Sequence, residues 1–179
     1  ISQRMHSLSL HPDCKAGPVT ALCADIRATP AGCDVEFRLE GALDSVLFPE
    51  PAQSQRASGL WQHTCFEFFW QTDGGESYHE FNLAPSGQWA AYVFDSYREG
   101  MRDADIGAIA LASGHNVSNG QGTLELKANI AAELPIPAKA GLSAVIELVD
   151  GTLQYWALAF PPGKPDFHAA ACRPLTLSR

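Results

Sequence analysis

The chain has 179 residues, 46% of them hydrophobic and 18% charged, and carries a formal net charge of −8 at pH 7. That length and apolar fraction suffice for one domain, 1–179, with a full core, and exclude a disordered chain. The acidic balance and the lack of any Lys/Arg cluster argue against nucleic acid or an anionic membrane surface as partner, and no apolar stretch reaches the roughly 20 residues of a bilayer-spanning helix.

Apolar and polar residues alternate with a period of two from end to end, and no long window shows helical periodicity, so an all-β fold is predicted. Strands are expected over 4–10 and 19–28. The cleanest alternation is 34–40, with Val35, Phe37 and Leu39 inward, reached through the turn Thr29-Pro30-Ala31-Gly32. The proline-containing stretch 49–59 reads as a loop crossing between sheets.

A meander over 64–71, 78–84 and 88–95 follows. Closing its second turn, Pro85-Ser86-Gly87, with Ala84 opposite Gln88 places Asn82 opposite Ala90, Glu80 opposite Tyr92 and Tyr78 opposite Phe94. Closing the first with Gln71 opposite Tyr78 brings Glu67 across from Asn82. One face is then apolar, with Phe66, Phe68, Trp70, Phe81, Leu83 and Trp89. The other is a mixed floor of Cys65, Glu67, Phe69, Tyr78, Glu80, Asn82, Tyr92 and Phe94.

Further strands are predicted over 123–130, 142–149 and 152–160, the last two joined by Asp150-Gly151, read as the strongest short hairpin signal. A two-residue closure pairs Val149 with Thr152, Glu147 with Gln154 and Val145 with Trp156, which leaves Leu153 and Tyr155 for the core. Many short strands with regularly spaced turns imply two antiparallel sheets packed as a sandwich.

The blocks Trp61-x-x-Thr64-Cys65-Phe66-Glu67, Tyr78-x-Glu80-Phe81-Asn82, Pro85-Ser86-Gly87-x-Trp89-Ala90, Tyr97-Arg98-x-Gly100-Met101 and Tyr155-Trp156-Ala157-Leu158-Ala159, the last followed by Pro165-Asp166-Phe167-His168, resemble the bacterial DOMON-like domains related to family 9 carbohydrate-binding modules. The resemblance covers essentially the whole chain. It implies an immunoglobulin-like β-sandwich with a ligand, a sugar or a haem across the superfamily, held on one sheet or at its rim.

Carboxylates and amides suit sugar hydroxyls, and flat rings suit the C–H faces of a pyranose. The candidate site is therefore Glu67, Glu80, Asn82 and Tyr92 as floor, with Trp156, Asp166 and His168 as rim, the last two on a proline-stiffened segment, 161–168. The expected partner is a small carbohydrate bound without catalysis. A carbohydrate-active enzyme would use Glu67 and Glu80 as its acid pair, and a protein-interaction sandwich would use the same sheet for a partner protein. A purely structural reading has Glu67 and Glu80 as buried partners of Arg98 or Arg102.

No metal or cofactor is expected. Asp95, Glu99, Asp103 and Asp105 are the acids available for Ca2+, and His79, His168 and Met101 the available haem ligands, but neither set has a binding-motif spacing. The odd count of five irregularly spaced cysteines suits free thiols in a cytoplasmic setting, while a chain opening at Ile1 leaves an extracytoplasmic home possible.

Overall fold

A computed structural model describes residues 5–178. They form two antiparallel sheets packed face to face, the all-β sandwich the alternation predicts. In the first sheet, β1 (His6–Ser7), β3 (Val19–Thr29), β4 (Gly32–Gly41), β10 (Gln121–Ala131) and β9 (Ala108–Ser118) lie side by side in that order. The second runs β2 (Ser9–Leu10), β12 (Leu153–Ala157), β11 (Ala138–Glu147), β5 (Cys65–Thr72), β6 (Tyr78–Leu83), β7 (Trp89–Phe94) and β8 (Arg102–Asp103), with β13 (Leu175–Leu177) pairing on β11.

The inward residues of both sheets form one apolar layer. Val35, Phe37 and Leu39 of β4 and Leu124, Leu126 and Ile130 of β10 meet Phe66, Phe68, Trp70, Phe81 and Leu83 of the second sheet, all essentially inaccessible to water. The Phe68 and Phe81 rings stack at 4.4 Å between centroids. Each such side chain contributes about 1.5–3 kcal/mol by burial. Trp89 packs on this layer from its edge, partly exposed, with the Arg56 guanidinium 4.8 Å above its ring.

The meander has the predicted register. Glu67 pairs with Asn82, Glu80 with Tyr92, Asn82 with Ala90 and Tyr78 with Phe94. Three other expectations are corrected. The strand expected over 4–10 is divided, because buried Leu8 lets His6–Ser7 join the first sheet and Ser9–Leu10 the second; Arg4 lies outside the described residues. Strands β9 and β13 were not anticipated. Nearly every residue of β9 is exposed, so it carries little inward apolar signal.

The third correction concerns β11 and β12. The Gly151 N–H donates to the Leu148 carbonyl and the Leu148 N–H to Thr152, so Val149, Asp150 and Gly151 form a three-residue loop with Gly151 at φ +88°. Compared with a two-residue closure, β12 moves by one residue: Val145 faces Tyr155, and Ala144 faces Trp156. A slip of one residue exchanges the two faces of a strand. Trp156 therefore belongs to the core between the sheets, its indole N–H donating to Gln154 Oε1 at 3.2 Å, and is not at the site rim; Tyr155 and Leu153, expected in the core, face outward on the second sheet.

Candidate binding site on the second sheet

The outer face of the second sheet carries its own apolar cluster of Phe69, Tyr78, Ala90, Tyr92, Phe94, Val145, Ala157 and Phe167. Two acids stand among these rings, Glu67 and Glu80, 2% and 6% exposed. They occupy diagonal positions on the neighbouring strands β5 and β6, Glu80 being opposite Phe69 and Glu67 opposite Asn82. A cavity of about 390 Å³ opens above them. Glu67, Glu80, Phe94 and Val145 line it from the sheet, and Arg98, Met101, Tyr155, Asp166, Phe167 and His168 enclose it with Trp61 and Pro165.

The segment Pro165–Cys172 lies over the sheet face. Gly141 of β11 makes this close approach possible, since a Cβ there would sit 2.1 Å from the Cys172 carbonyl oxygen. His11 Nε2, 2.9 Å from the Gly163 carbonyl, fixes the loop's start, and Phe167 packs among Tyr155 and Phe160. Arg173, stacked 4.9 Å over the Tyr78 ring, donates to Gln71 Oε1 and the His168 carbonyl and fixes its end.

Asp166 is a clasp. Its Oδ1 accepts from Arg98 Nη2 at 2.8 Å and from the His168 N–H at 3.1 Å, and its Oδ2 accepts from the Tyr97 hydroxyl. Burial alone would raise its pKa, but these donors prevail and hold it below the ordinary aspartate value. The same clasp maintains Arg98 at φ +55°, a left-handed backbone that a non-glycine residue rarely adopts.

Tyr78 links this loop to the acids. Its hydroxyl accepts from the Arg98 N–H at 3.1 Å and is hydrogen-bonded to His168 Nδ1, 2.8 Å away. The other ring nitrogen, Nε2, faces Glu80 Oε1 at 3.7 Å. Burial, helped by the charge of Arg98, pushes His168 down to about 4, so the imidazole is neutral at ordinary pH.

Among the described residues neither acid is ion-paired with an arginine. Arg98 is taken by Asp166 and Arg102 by Asp95 at 2.8 Å, so the structural reading of Glu67 and Glu80 as arginine partners does not hold. Instead the two carboxyls lie within hydrogen-bonding reach of each other. Burial raises both. Glu67, raised further by the neighbouring Glu80 charge, lies well above the carboxylate range, while Glu80, relieved by its bond to Glu67 and by Arg98, is pushed up to about 7. Near neutrality the pair thus retains a shared proton. Asn82, fully buried and oriented with its amide nitrogen toward acceptors, donates to Glu67 Oε1 at 3.2 Å.

Of the residues singled out from sequence, Glu67, Glu80, Asp166 and His168 line the cavity. Asn82 and Tyr92 support it from behind, Tyr92 in edge contact with Trp61 at 6.3 Å. Trp61, Met101 and Tyr155 also line the cavity, outside the floor and rim chosen from sequence. Trp61, on a short 3-10 turn (Leu60–Gln62), is 42% exposed at the mouth and turns one ring edge to Tyr92, which leaves ring surface open to the cavity.

Two of the four acids considered for Ca2+ have cationic partners, Asp95 with Arg102 and Asp103 near Arg56. Among the described residues no group of three or more His, Cys, Asp or Glu is placed to hold a metal ion. His79 stacks on Phe81 toward the core, and all five cysteines are unpaired. No helix is long and apolar enough to cross a membrane.

The chain is similar in fold to a crystal structure described as a "putative carbohydrate-binding protein" from Bacteroides uniformis, with a TM-score of 0.70 and 18% identity over 98% of this chain and 85% of that one. Neither a protein-family model nor a curated protein sequence matches the chain.

Proposed function

We propose that this protein binds a small carbohydrate or polyol, without catalysis, in the cavity above Glu67 and Glu80. The observation that carries this reading is the pairing of two buried carboxyls on the cavity floor with exposed Trp61 at its mouth. A volume of about 390 Å³ suits a ligand on the scale of a monosaccharide, and the combination offers hydroxyl partners below and a stacking ring above. The sandwich shared with the B. uniformis protein supports the reading at the level of fold. In this proposal the chain is a DOMON-like domain related to family 9 modules, because most of its motif blocks fall on the strands and turns that build the cavity. Its unpaired thiols suit a reducing compartment.

Binding is favoured over hydrolysis by the spacing of the acids. Glycosidases place their two carboxyls about 5–9.5 Å apart, across the scissile bond. Glu67 and Glu80 stand on neighbouring strands with carboxyls close enough to share a proton, nearer to each other than such a flanking pair.

A glycan array on purified protein, followed by calorimetry of any hit on wild type and Trp61→Ala, tests the proposal. The substitution should weaken binding by tenfold or more while stability changes by less than about 1 kcal/mol, since a half-exposed side chain contributes little to the core. An array without hits, or unchanged affinity in the variant, would overturn the site.

A further inference from the structure

We propose that the ligand bears a protonated amine, and that the Glu67–Glu80 pair binds it, so that the preferred class is an amino sugar rather than a neutral one. This rests on the carbohydrate reading above but makes a separate claim. The cavity presents more negative than positive charge. Arg98, which lines it, is ion-paired with Asp166, and His168 is held neutral by its burial. The two carboxyls have each other, Asn82 and, at 3.7 Å, His168 Nε2 as near polar neighbours, and no ion pair with Lys or Arg among the described residues.

Buried carboxylates without a cation are unfavourable, and an ammonium group is the partner this floor lacks. The walls point the same way. Trp61, Phe94, Tyr155 and Phe167 surround the space above the acids, and aromatic faces attract a cation while giving a neutral hydroxyl little. A further polar atom lies alongside: Ser143 Oγ, in register with Glu67 on β11 and 2% exposed, has no hydrogen-bond partner.

An entering ammonium would displace the shared proton. The charged and titratable groups facing the pair are Cys65 beneath, Tyr92 on β7, Tyr78 on β6, and Arg98 and His168 from the covering loops. Cys65 and both tyrosines are pushed up by burial and stay neutral near pH 7, so the released proton comes from the carboxyl pair.

Calorimetry at pH 7 in two buffers of different ionisation enthalpy, with glucose and glucosamine, galactose and galactosamine, N-acetylglucosamine, and ethanolamine as an amine without a ring, decides the matter. At least one amino sugar should bind tenfold or more tighter than its neutral and N-acetylated counterparts, with buffer-dependent heat marking proton release. Glu80→Gln, with its fold checked by thermal melt, should abolish that preference. If the variant does not fold, the wild-type comparison stands alone. Neutral sugars binding as tightly as amino sugars would overturn this inference and leave the carbohydrate reading standing. Ethanolamine binding as tightly as an amino sugar, with neutral sugars silent, would support the amine site and overturn the carbohydrate reading. No binding by any amine overturns the inference.

Discussion

Two carboxyls placed side by side among aromatic rings stay buried because a shared proton removes one of the two charges, while Asn82 donates to Glu67. This arrangement reverses the usual expectation for a buried acid. Removing one member of an ion pair leaves the other charge stranded and typically costs 3–5 kcal/mol. Here no arginine depends on Glu80, because Arg98 bonds to Asp166. Glu80→Gln preserves the shape, keeps a donor and acceptor for Glu67 and removes a charge that burial disfavours. Its melting temperature at pH 8 should equal or exceed that of wild type. A fall of several degrees would mean that the carboxylate supports the fold through a cation.

At the scale of elements, what the sequence shows depends on how its turns close. The Pro85-Ser86-Gly87 loop was closed with three residues between partners, as the structure has it, and Glu67, Glu80, Asn82 and Tyr92 all share the predicted face. The Asp150-Gly151 turn was closed with two, but Val149 also joins the loop, and Trp156 passes from rim to core. Both loops end in a left-handed glycine, and the choice between two and three residues depends on which register buries Ala144, Ile146 and Trp156 against the first sheet. A hairpin with true two-residue geometry and both loop residues at positive φ is Asn119-Gly120, joining β9 to β10. The sequence signals it weakly because β9 turns only Ile109 and Leu111 toward the core and the rest of the strand is exposed. Trp61 was visible as a residue but had no strand to give it a direction. Trp156→Ala should therefore cost about 3–5 kcal/mol in stability, as large core aromatics do. A variant that melts like wild type would restore Trp156 to the surface.

Gly141 makes the companion case on β11. An alanine there must push Cys172 and the loop before it off the sheet. A loss of about 1–3 kcal/mol is expected, with faster amide exchange in 166–173 and weaker ligand binding. Exchange confined to other segments would show that the loop is held without that close approach.

For the whole molecule, the site sets two opposing pH dependences. Glu80 is raised by burial from 4.5 to about 7 and Glu67 is raised as well, so between those values the folded chain retains protons that the unfolded chain has lost. Glu80's contribution is present below about pH 4.5 and is lost as pH rises through 7, and that of Glu67 has the same sign and is lost at the higher pH to which its own carboxyl is raised. His168, lowered by burial from 6.5 to about 4, acts in reverse: its contribution is present above 6.5 and is lost as pH falls through 4. Two acids oppose one imidazole, so from about pH 4.5 to 6.5 this site should make wild type less stable as pH rises, with His168 softening the slope. His168→Asn removes the softening and should steepen the decline. Replacing both acids, Glu67→Gln with Glu80→Gln, leaves only the imidazole and should reverse the site's contribution, so that stability gains with pH relative to wild type across the same window. Melting temperatures of the three proteins from pH 4 to 8 test this directly. Parallel profiles would mean that neither the carboxyl pair nor His168 is buried in the states its neighbours dictate, and the charge argument for the cavity would fall with them.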